Sequence, residues 1–529
     1  MTSAPAPILL KGRWVRTDAP AGYIQAVNPR TALPLPTLFP VSAWEVMEVA
    51  LDAAQLAFEE LRTASVDSRA AFLDDYAARI EKRRAELVAL AEAETGLAQE
   101  PRLNSTELPR TVDQLRQAAV AVRERSWTLA TIDTKANLRS YYRALGPVVI
   151  FGPNNFPFAY NAISGGDFAA AIAAGNPVIA KGHPSHPGTT QMLAEEAIAA
   201  IEAAGLPSAA VQMVYHLGNE DGVRLVKDRR VGAVAFTGSR RGGLALKAVA
   251  DAVGKPIFLE MGSLNPVVLL PGALRERFDD LFTQVTGSCL LGMGQFCTNP
   301  GLLFFIRDAN ADRFITAMIE KYRTSPVGPL LSSTVQTQLD DSVRALVAAG
   351  AELRVGGQVD KSLGISFQNT LLTTSGALFL KNADALQREA FGNATLAVFC
   401  TNHDELAAAL MTLEGQLAGS IYSHTQAEDD GAYRRLEPIL RLRVGRLLND
   451  KMTTGVAVSS AQNHGGPFPA TGHPQFTAVG FPASIRRFAM LACFDNVRPE
   501  RLPTELHDRN PNGKMWRLVD GAWTLKDAC

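Results

Sequence analysis

The sequence predicts an α/β fold in which a doubly wound parallel sheet forms one domain and a second α/β domain follows it. Short apolar runs alternate with helical segments from residue 147 to 259, and a similar alternation extends from 264 to about 446. Strands joined by helical crossovers pair in parallel. Such sheets bind ligands beyond the carboxyl ends of their strands, so a site is predicted there, with a dinucleotide as the first candidate ligand.

Five apolar runs are predicted as the strands of the first sheet. They lie at 147–151, 177–180, 211–215, 231–236 and 256–259, and the predicted helices between them lie at 166–175, 189–204, 220–227 and 241–253. Before them, apolar residues recur at intervals of three and four between 41 and 125, which predicts helices. Alternating side chains at 128–146 predict a hairpin.

The second half has fewer distinct signals. Strands are predicted at 302–306 and 396–399, and residues 455–480, rich in Gly, Pro, His and Asn, are predicted to form a long loop. The tail from 497 to 529 contains Pro, charged residues and two Trp residues, and its sequence predicts no role.

Composition indicates a globular protein with an ample core. The chain has 529 residues, of which 47% are hydrophobic and 20% charged, with a net charge of −1. That charge does not favour nucleic acid or an acidic membrane surface as a partner. No apolar run of about 18 residues predicts a membrane span. The N-terminus lacks the basic and apolar regions of a signal peptide, so a cytoplasmic location is expected.

The five cysteines are odd in number and widely spread, at positions 289, 297, 400, 493 and 529. Neither a metal site nor a disulfide framework is predicted, since no CxxC or Cys/His cluster is present. Cys297 differs from the others because three glycines and Pro300 surround it, which predicts a tight loop after an apolar helix. A thiol on such a bend is a candidate nucleophile. Cys289 lies within the apolar run and is interpreted as a buried structural thiol.

The usual dinucleotide fingerprint, G-x-G-x-x-G, is missing after the first predicted strand. The fourth strand instead leads into Thr237, Gly238 and Ser239 and then a helix. Free backbone N–H groups at a helix N-terminus can bind a phosphate group.

Several separated motifs together resemble the NAD(P)-dependent aldehyde dehydrogenase superfamily, over nearly the whole chain. They are Pro153-Asn-Asn-Phe-Pro157, Gly175-Asn-Pro177 with Lys181, Phe236-Thr-Gly-Ser239, Leu259-Glu-Met-Gly262, Gly294-Gln-Phe-Cys297 and Glu389-Ala-Phe-Gly392. Residues 180–184 and 463–471 resemble most the branch of α-ketoglutaric semialdehyde (2,5-dioxovalerate) dehydrogenases. They are also similar to the NADP-dependent long-chain aldehyde dehydrogenases of luminous bacteria.

The resemblance implies three structural parts. Residues 1–127 and 147–262 would form the NAD(P)-binding domain, and 263–478 the catalytic domain. Residues 128–146 and 479–529 would form a small β oligomerisation element with the C-terminal tail. Members of the family are usually homodimers or homotetramers.

The resemblance also implies the roles of three catalytic residues. Cys297 would attack the aldehyde, and Asn155 would stabilise the resulting oxyanion with its side-chain amide. Hydride transfer to the nicotinamide would leave a thioester on Cys297, which water would hydrolyse with Glu260 as general base. From spacing alone, Asn155 could be only a turn residue, and Glu260 a surface or helix-capping carboxylate. His464, in the long loop, could assist the thiol or simply shape the substrate tunnel.

For the cofactor, the resemblance assigns Lys181 and Glu389 to the two riboses, and places Phe391 beside the nicotinamide ring. His183, Gly238, Ser239 and Gly262 are further candidates for cofactor binding. Many NAD-preferring members carry a Glu where this chain has Pro184. The absence of that carboxylate favours NADP over NAD.

The substrate is predicted less sharply. A semialdehyde with a distal carboxylate would need a cation, for which Arg110 and Arg116 are candidates, and at most one of them is expected to serve. A long-chain aldehyde would need an apolar tunnel. Candidate lining residues for either substrate are Phe156, Phe158, Phe296 and Phe468. A CoA-acylating enzyme is an alternative that the presence of Glu260 disfavours. A non-catalytic protein on the same fold is another, which Cys297, Glu260 and Asn155 together disfavour.

Overall fold

The computed structural model describes residues 4–528, and its first sheet has seven strands. Their spatial order is Ile257–Glu260, Ala233–Thr237, Val148–Phe151, Val178–Lys181, Val211–Val214, Ile8–Leu10 and Arg13–Val15. The five predicted strands are confirmed and pair in parallel. The N-terminal hairpin extends this sheet in antiparallel fashion. From Val148–Phe151 the chain winds outward in both directions, which places the topological switch point beside that strand.

Helices cover both faces of this sheet, as predicted. The connecting helices are Gly166–Ala174, Pro187–Ala203, Asn219–Lys227 and Arg240–Asp251, and the N-terminal helices are Trp44–Leu61, Val66–Lys82, Arg84–Thr95 and Leu108–Glu124. The N-terminal helices bury apolar faces in the main core, for example Phe72 and Leu73 of Val66–Lys82. Because both faces of the sheet are covered, its strands are apolar throughout.

The second sheet also has seven strands. Their order is Glu352–Val355, Thr370–Ser375, Ala394–Cys400, Leu302–Ile306, Val267–Leu269, Gln416–Tyr422 and Val444–Asn449. All of these pair in parallel except Glu352–Val355, which is antiparallel at one edge. The helices of this region are Pro271–Glu276, Phe278–Leu290, Ala309–Thr324, Ser333–Ala348, Gly376–Lys381, Ala383–Leu386, His403–Met411 and Asp430–Arg441.

A third sheet combines the predicted hairpin with the C-terminal segment. Its strand order is Ala489–Asp495, Leu138–Ala144, Thr131–Asp133, Arg517–Val519 and Ala522–Thr524. The hairpin is confirmed, with Ile132 opposite Arg139. The tail, for which the sequence predicted no role, supplies the last two strands. Arg517 fixes the tail, because its fully buried guanidinium donates to the carbonyls of Asp508 and Lys526 at 2.9 and 3.1 Å.

Small sheets and one long loop complete the architecture. The remaining strands are Gly22–Ile24, Phe39–Ser42 and His216–Leu217 in one sheet, Val27–Asn28 with Leu33–Pro34, and Val359–Asp360 with Ser366–Phe367. The predicted loop at 455–480 is confirmed, with Thr471 forming an isolated bridge to Glu260. Across residues 4–528, no helix has the length and apolarity needed to cross a membrane. The domain bounds given above stay a prediction, and Cys529 lies outside the described residues.

Candidate active site

Cys297 lies in an irregular loop that follows the helix Phe278–Leu290, as predicted. The backbone turns through three successive left-handed residues, the last of which is Gly294 with φ +64°. A Cβ atom on Gly294 would lie 2.0 Å from the carbonyl oxygen of Gly392, so any larger residue would clash with backbone. This turn ends the apolar helix and leaves Cys297 partly exposed.

Cys289, by contrast, is buried within the helix. Its thiol donates to the carbonyl oxygen of Pro300 at 3.5 Å. Burial raises the pKa of Cys289 to about 11, which leaves the thiol protonated and unreactive at neutral pH. The interpretation of Cys289 as a structural thiol is therefore supported.

Two side chains from distant parts of the sequence meet the sulfur of Cys297. His464 Nε2 lies 3.4 Å from Cys297 Sγ. His464 Nδ1 lies 3.0 Å from Glu260 Oε2, and both of these side chains are 1% exposed. One ligating atom from each of the three residues lies within 4.8 Å of the others. The fold therefore builds a thiol–imidazole–carboxylate triad.

The charges in this triad hold a proton on His464. Burial by itself would lower the pKa of His464, but the Glu260 carboxylate and the Cys297 sulfur outweigh burial and raise it to about 10. The contact with Glu260 is an ion pair and not an aligned hydrogen bond, since neither carboxylate oxygen has a hydrogen-bond partner among the described residues. An imidazolium next to the sulfur favours the thiolate, which is the nucleophilic form.

The long loop brings His464 to the end of the strand that carries Glu260. The backbone N–H of Met261 donates to the carbonyl oxygen of Ala470 at 2.9 Å, which fastens the loop to the strand. Further along the loop, the N–H of Ala478 donates to the carbonyl of His464, also at 2.9 Å. The loop is therefore tied both to the strand end that carries Glu260 and to the backbone carbonyl of His464.

Asn155 lies against the same loop as Cys297. Its amide Nδ2 donates to the carbonyl oxygen of Gln295 at 3.1 Å, and the side chain is buried. An amide nitrogen has two hydrogens, so the second remains available for another acceptor. The structure thus brings together Asn155, Glu260 and Cys297 as the sequence predicted.

Aromatic side chains and one arginine border this centre. Phe156 contacts Tyr160 and Phe296 edge-to-face, with ring centroids 5.1 and 5.9 Å apart. Arg110 Nη2 donates to the Tyr160 hydroxyl at 2.9 Å. Arg116 instead pairs with Glu81 on the surface, where its side chain is 49% exposed. Of the two candidate arginines, only Arg110 adjoins the site.

Two predicted substrate residues lie elsewhere. The ring of Phe158 is fully buried in the main core, although its backbone follows the Asn155 turn. Phe468 is 56% exposed and takes no part in the aromatic cluster around Phe156 and Phe296. The structure therefore gives no support for a substrate contact at Phe158 or Phe468. Sequence spacing does not show on which side a side chain leaves an irregular turn.

The residues predicted to contact the nicotinamide half of a cofactor meet beside the Cys297 loop. A small cavity there is lined in part by Phe296, Glu389 and Phe391. The carboxylate of Glu389 accepts from the Ser263 N–H at 3.2 Å. A Cβ on Gly262 would lie 1.8 Å from Glu389 Oε2, so this approach needs glycine. Burial raises the pKa of Glu389 to about 7, although the Ser263 hydrogen bond opposes the shift.

Basic side chains gather at the carboxyl end of Val178–Lys181. Burial lowers the pKa of Lys181 to about 8, and its ammonium has no acceptor among the described residues. The pKa of His183 is lowered by burial and then by the neighbouring His186, Lys181 and His216. An unpaired ammonium among neutral imidazoles fits the hydroxyl groups or phosphate of a nucleotide.

Gly238 and Ser239 lie across the switch point from these basic residues. The side chain of Ser239 caps the helix Arg240–Asp251 and accepts from the Gly242 N–H at 3.3 Å. The N–H of Gly238 donates to the carbonyl oxygen of Glu260 at 3.0 Å, so the strand ends of the two neighbouring strands are tied together. The predicted phosphate-binding turn is therefore a helix N-terminus at the expected edge of the sheet.

The sequence missed several residues that the fold brings to the site. Arg102 and Glu107 form a buried ion pair behind Asn155, and Arg446 approaches the site from the second sheet. No local motif marks these positions. The sequence also predicted no metal site, because only closely spaced Cys and His residues were considered as ligands. The Cys297–His464–Glu260 group could hold a metal ion, but its residues are far apart in the chain.

Comparison with known proteins agrees with this geometry. A family model described as "Aldehyde dehydrogenase family" matches residues 14–465. The chain is 38% identical over 513 residues to "Alpha-ketoglutaric semialdehyde dehydrogenase 2" of Azospirillum brasilense, covering 95% of this chain and 96% of that protein. It is 34% identical over 527 residues to "Alpha-ketoglutaric semialdehyde dehydrogenase" of Acinetobacter baylyi, covering 97% and 98%.

Solved structures show the same fold. The NAD⁺ complex of an aldehyde dehydrogenase from Bacillus cereus superposes with a TM-score of 0.78 at 19% identity, over 93% of this chain and 96% of that one. Lactaldehyde dehydrogenase from Escherichia coli gives a TM-score of 0.79 at 22% identity, over 93% and 99%. The resemblance seen in the motifs is confirmed: the chain belongs to the aldehyde dehydrogenase family and is an oxidoreductase that acts on aldehydes.

Proposed function

We propose that this enzyme oxidises α-ketoglutaric semialdehyde to 2-oxoglutarate with NADP⁺ or NAD⁺, through a covalent adduct on Cys297. The observation that carries the proposal is the triad of Cys297, His464 and Glu260 beside the Asn155 amide. The two relatives named above, aligned over nearly their whole length, support the choice of substrate.

Cys297 and Asn155 serve the first step. The thiolate, favoured by the imidazolium of His464, attacks the carbonyl carbon and forms a thiohemiacetal oxyanion. We assign the free N–H of Asn155 Nδ2 and the backbone N–H of Cys297 as the donors to this charge. Loss of one such donor typically costs about 3–4 kcal/mol of barrier.

The cofactor is the hydride acceptor when bound. Residues at the edge of the first sheet fit it: Lys181 and Glu389 supply an unpaired ammonium and a carboxylate for ribose hydroxyls, and Gly238 and Ser239 supply a helix N-terminus for phosphate. Phe391 borders the cavity beside the Cys297 loop, where it can pack against a flat ring.

Glu260 and His464 serve the hydrolysis of the thioester. Once Cys297 carries an acyl group, its sulfur no longer bears a negative charge. One of the two charges that raise the pKa of His464 is then lost, so His464 holds its proton less tightly. Glu260 is then the remaining anion within reach and takes a proton from the attacking water. An intact base at this position disfavours a CoA-acylating enzyme.

We propose NADP as the preferred cofactor. A carboxylate at position 184 would repel a 2′-phosphate, but this chain has Pro184 there. The basic side chains of Lys181, His183 and His216 lie close together near this position, where the Lys181 ammonium supplies positive charge and neutral imidazoles can donate an N–H to a phosphate.

Arg110 is proposed to bind the distal carboxylate of the substrate. Its guanidinium is held by the Tyr160 hydroxyl and forms no ion pair with any described carboxylate. Burial lowers the pKa of Arg446, but the neighbouring Cys297 and Tyr160 side chains oppose that shift, and the guanidinium adds positive charge near the site. The apolar cluster of Phe156, Phe476 and Val479 favours a second candidate, a long-chain aliphatic aldehyde.

We also propose a homodimer or homotetramer, with the third sheet as the contact. Its edge strand Ala489–Asp495 exposes Met490 and Leu491, which are 43% and 56% accessible. Exposed apolar side chains on an unpaired strand edge favour association with a second copy.

Absorbance at 340 nm tests the proposed function. Purified enzyme is assayed with α-ketoglutaric semialdehyde and aliphatic aldehydes of increasing length, with each cofactor, with and without CoA. We expect the fastest oxidation with the semialdehyde, no dependence on CoA, and no activity in Cys297→Ala. Activity of Cys297→Ala above background would contradict the nucleophile assignment, and a requirement for CoA would contradict hydrolysis.

A further inference from the structure

We propose that Arg102 is a positioning residue, held by Glu107, that fixes the Asn155 turn against the loop of Cys297. This inference rests on the proposed role of Asn155 as an oxyanion donor. Neither Arg102 nor Glu107 contacts the sulfur, so both would act through other residues.

Arg102 contacts both loops that border the reacting carbonyl. Its Nη2 donates to the backbone carbonyl oxygen of Asn155 at 2.7 Å. The guanidinium carbon lies 4.4 Å from the ring centroid of Phe156 and 5.0 Å from that of Phe296, the residue before Cys297. A planar cation can stack on aromatic rings while it donates at its edge, which an ammonium group cannot do. One guanidinium therefore spans the turn that carries the amide and the loop that carries the thiol.

Glu107 fixes the same turn from behind. Its fully buried carboxylate accepts from the backbone N–H groups of Phe158 and Ala159 at 2.8 and 3.0 Å. Its other oxygen pairs with Arg102, whose side chain is 10% exposed. A buried carboxylate with no counter-charge would be strongly destabilising, so Arg102 neutralises Glu107 while Glu107 orients Arg102.

The position of the Asn155 amide depends on this pair, because the amide itself makes few hydrogen bonds. Within residues 4–528, the side-chain amide has a single hydrogen bond to the Cys297 loop, at 3.1 Å to Gln295. Such a donor must lie within a narrow range of the position that the oxyanion takes, and a displacement of about 1 Å can cost about 100-fold in rate. Arg102 holds the backbone carbonyl of Asn155, and Glu107 holds the N–H groups of Phe158 and Ala159, in a turn that belongs to no regular helix or strand.

A double-mutant cycle tests the proposal. Arg102→Lys keeps the charge next to Glu107 but loses the flat fork that reaches Asn155. We expect Arg102→Lys to lower kcat for aldehyde oxidation at least about tenfold, with little change in the aldehyde KM. If Arg102 acts through the amide, adding Arg102→Lys to Asn155→Ala should cause no further loss.

Two controls separate positioning from general damage. Alkylation of Cys297 by iodoacetamide needs no oxyanion donor, so its rate should be unchanged in Arg102→Lys. Arg116→Lys, at a surface ion pair, should leave kcat unchanged. Glu107→Gln keeps one acceptor oxygen for the two N–H groups and replaces the oxygen that pairs with Arg102, so it should lower kcat in the same way. It is the variant to use if Arg102→Lys does not fold.

The outcomes are distinguishable. Full activity of Arg102→Lys, or losses that multiply with those of Asn155→Ala, would overturn the positioning role and leave the proposed function intact. Full activity of Asn155→Ala would instead reject the oxyanion role itself, and the inference with it. A slower alkylation rate in Arg102→Lys that matches its loss of kcat would show damage to the thiol, and would also overturn the proposal.

Discussion

His464 Nε2 lies 3.4 Å from Cys297 Sγ, although 167 positions separate the two residues in the chain. The other ring nitrogen of His464 lies 3.0 Å from Glu260. A sulfur, an imidazole and a carboxylate in this order resemble the arrangements by which hydrolases activate a nucleophile. The triad therefore predicts a thiol that is reactive at neutral pH and a base that depends on the state of that thiol.

The first prediction concerns the pH dependence of Cys297 alkylation. His464 has a pKa of about 10, so it stays protonated throughout the neutral range and favours the thiolate there. We expect iodoacetamide to alkylate the parent enzyme at least about tenfold faster than His464→Asn at pH 7, because only the parent has a cation beside the sulfur. The difference should persist at pH 6 and at pH 8, because His464 stays protonated at both. Equal alkylation rates for the two proteins would contradict the ion pair.

The second prediction concerns Glu260. If Glu260 activates water after the thioester has formed, Glu260→Gln should still produce one equivalent of reduced cofactor rapidly and then turn over slowly, by about 100-fold or more. Stopped-flow absorbance at 340 nm measures both phases. Glu276→Gln, at a partly exposed carboxylate that pairs with Arg277 and is not part of the triad, serves as the control and should behave as the parent enzyme. A missing burst would place Glu260 at an earlier step.

The third prediction concerns the cofactor. We expect a lower KM for NADP than for NAD, because Pro184 leaves no carboxylate against the 2′-phosphate. Pro184→Glu should raise the KM for NADP at least about tenfold with a smaller effect on NAD, as a charge pair of like sign disfavours binding. Initial rates with both cofactors measure this. A parent enzyme with the lower KM for NAD would refute the preference.

The fourth prediction concerns the distal end of the substrate. Arg110→Met removes the guanidinium held by Tyr160 while it keeps an unbranched apolar side chain. A charged hydrogen bond contributes about 1.5–3 kcal/mol, so kcat/KM for the semialdehyde should fall about 10- to 100-fold. Oxidation of an uncharged aldehyde of the same length should be unchanged. Arg116→Met is the matched control on the same helix, and equal losses for both aldehydes would contradict carboxylate recognition.

Much of the fold followed from local patterns. The five strands of the first sheet and their connecting helices were predicted because each strand is buried on both faces, and a short uninterrupted apolar run is what such a strand needs. The Cys297 loop was predicted from its glycines, one of which, Gly294, has no room for a Cβ atom. The hairpin at 128–146 was visible in its alternation. The two strands of the tail were not, since Arg517–Val519 and Ala522–Thr524 are short and depend on neighbours from the start of the chain.

Likewise, only some of the site residues could be predicted from the sequence. Cys297, Glu260 and Asn155 could be named from their motifs, because each motif is contiguous and carries its own turn or strand end. Arg102 and Glu107 could not be named from the sequence, because no local motif marks a buried ion pair. Their proposed role follows only from the backbone that Arg102 contacts in the folded chain. For the same reason, Phe158 and Phe468 could not be separated from Phe156 and Phe296, whose rings do lie beside the thiol.

The sequence alone predicted two α/β domains, a thiol on a glycine-rich turn and membership of an enzyme family. Apolar content, the periodicity of apolar residues and the conformational freedom of the backbone are properties of short segments. They can therefore be recognised in the sequence without any knowledge of distant contacts. The proton on His464, the exclusion of Arg116 from the site and the bracing of Asn155 came from the folded chain. Each of these depends on the distance between groups far apart in sequence, and electrostatic and hydrogen-bond energies change steeply with that distance.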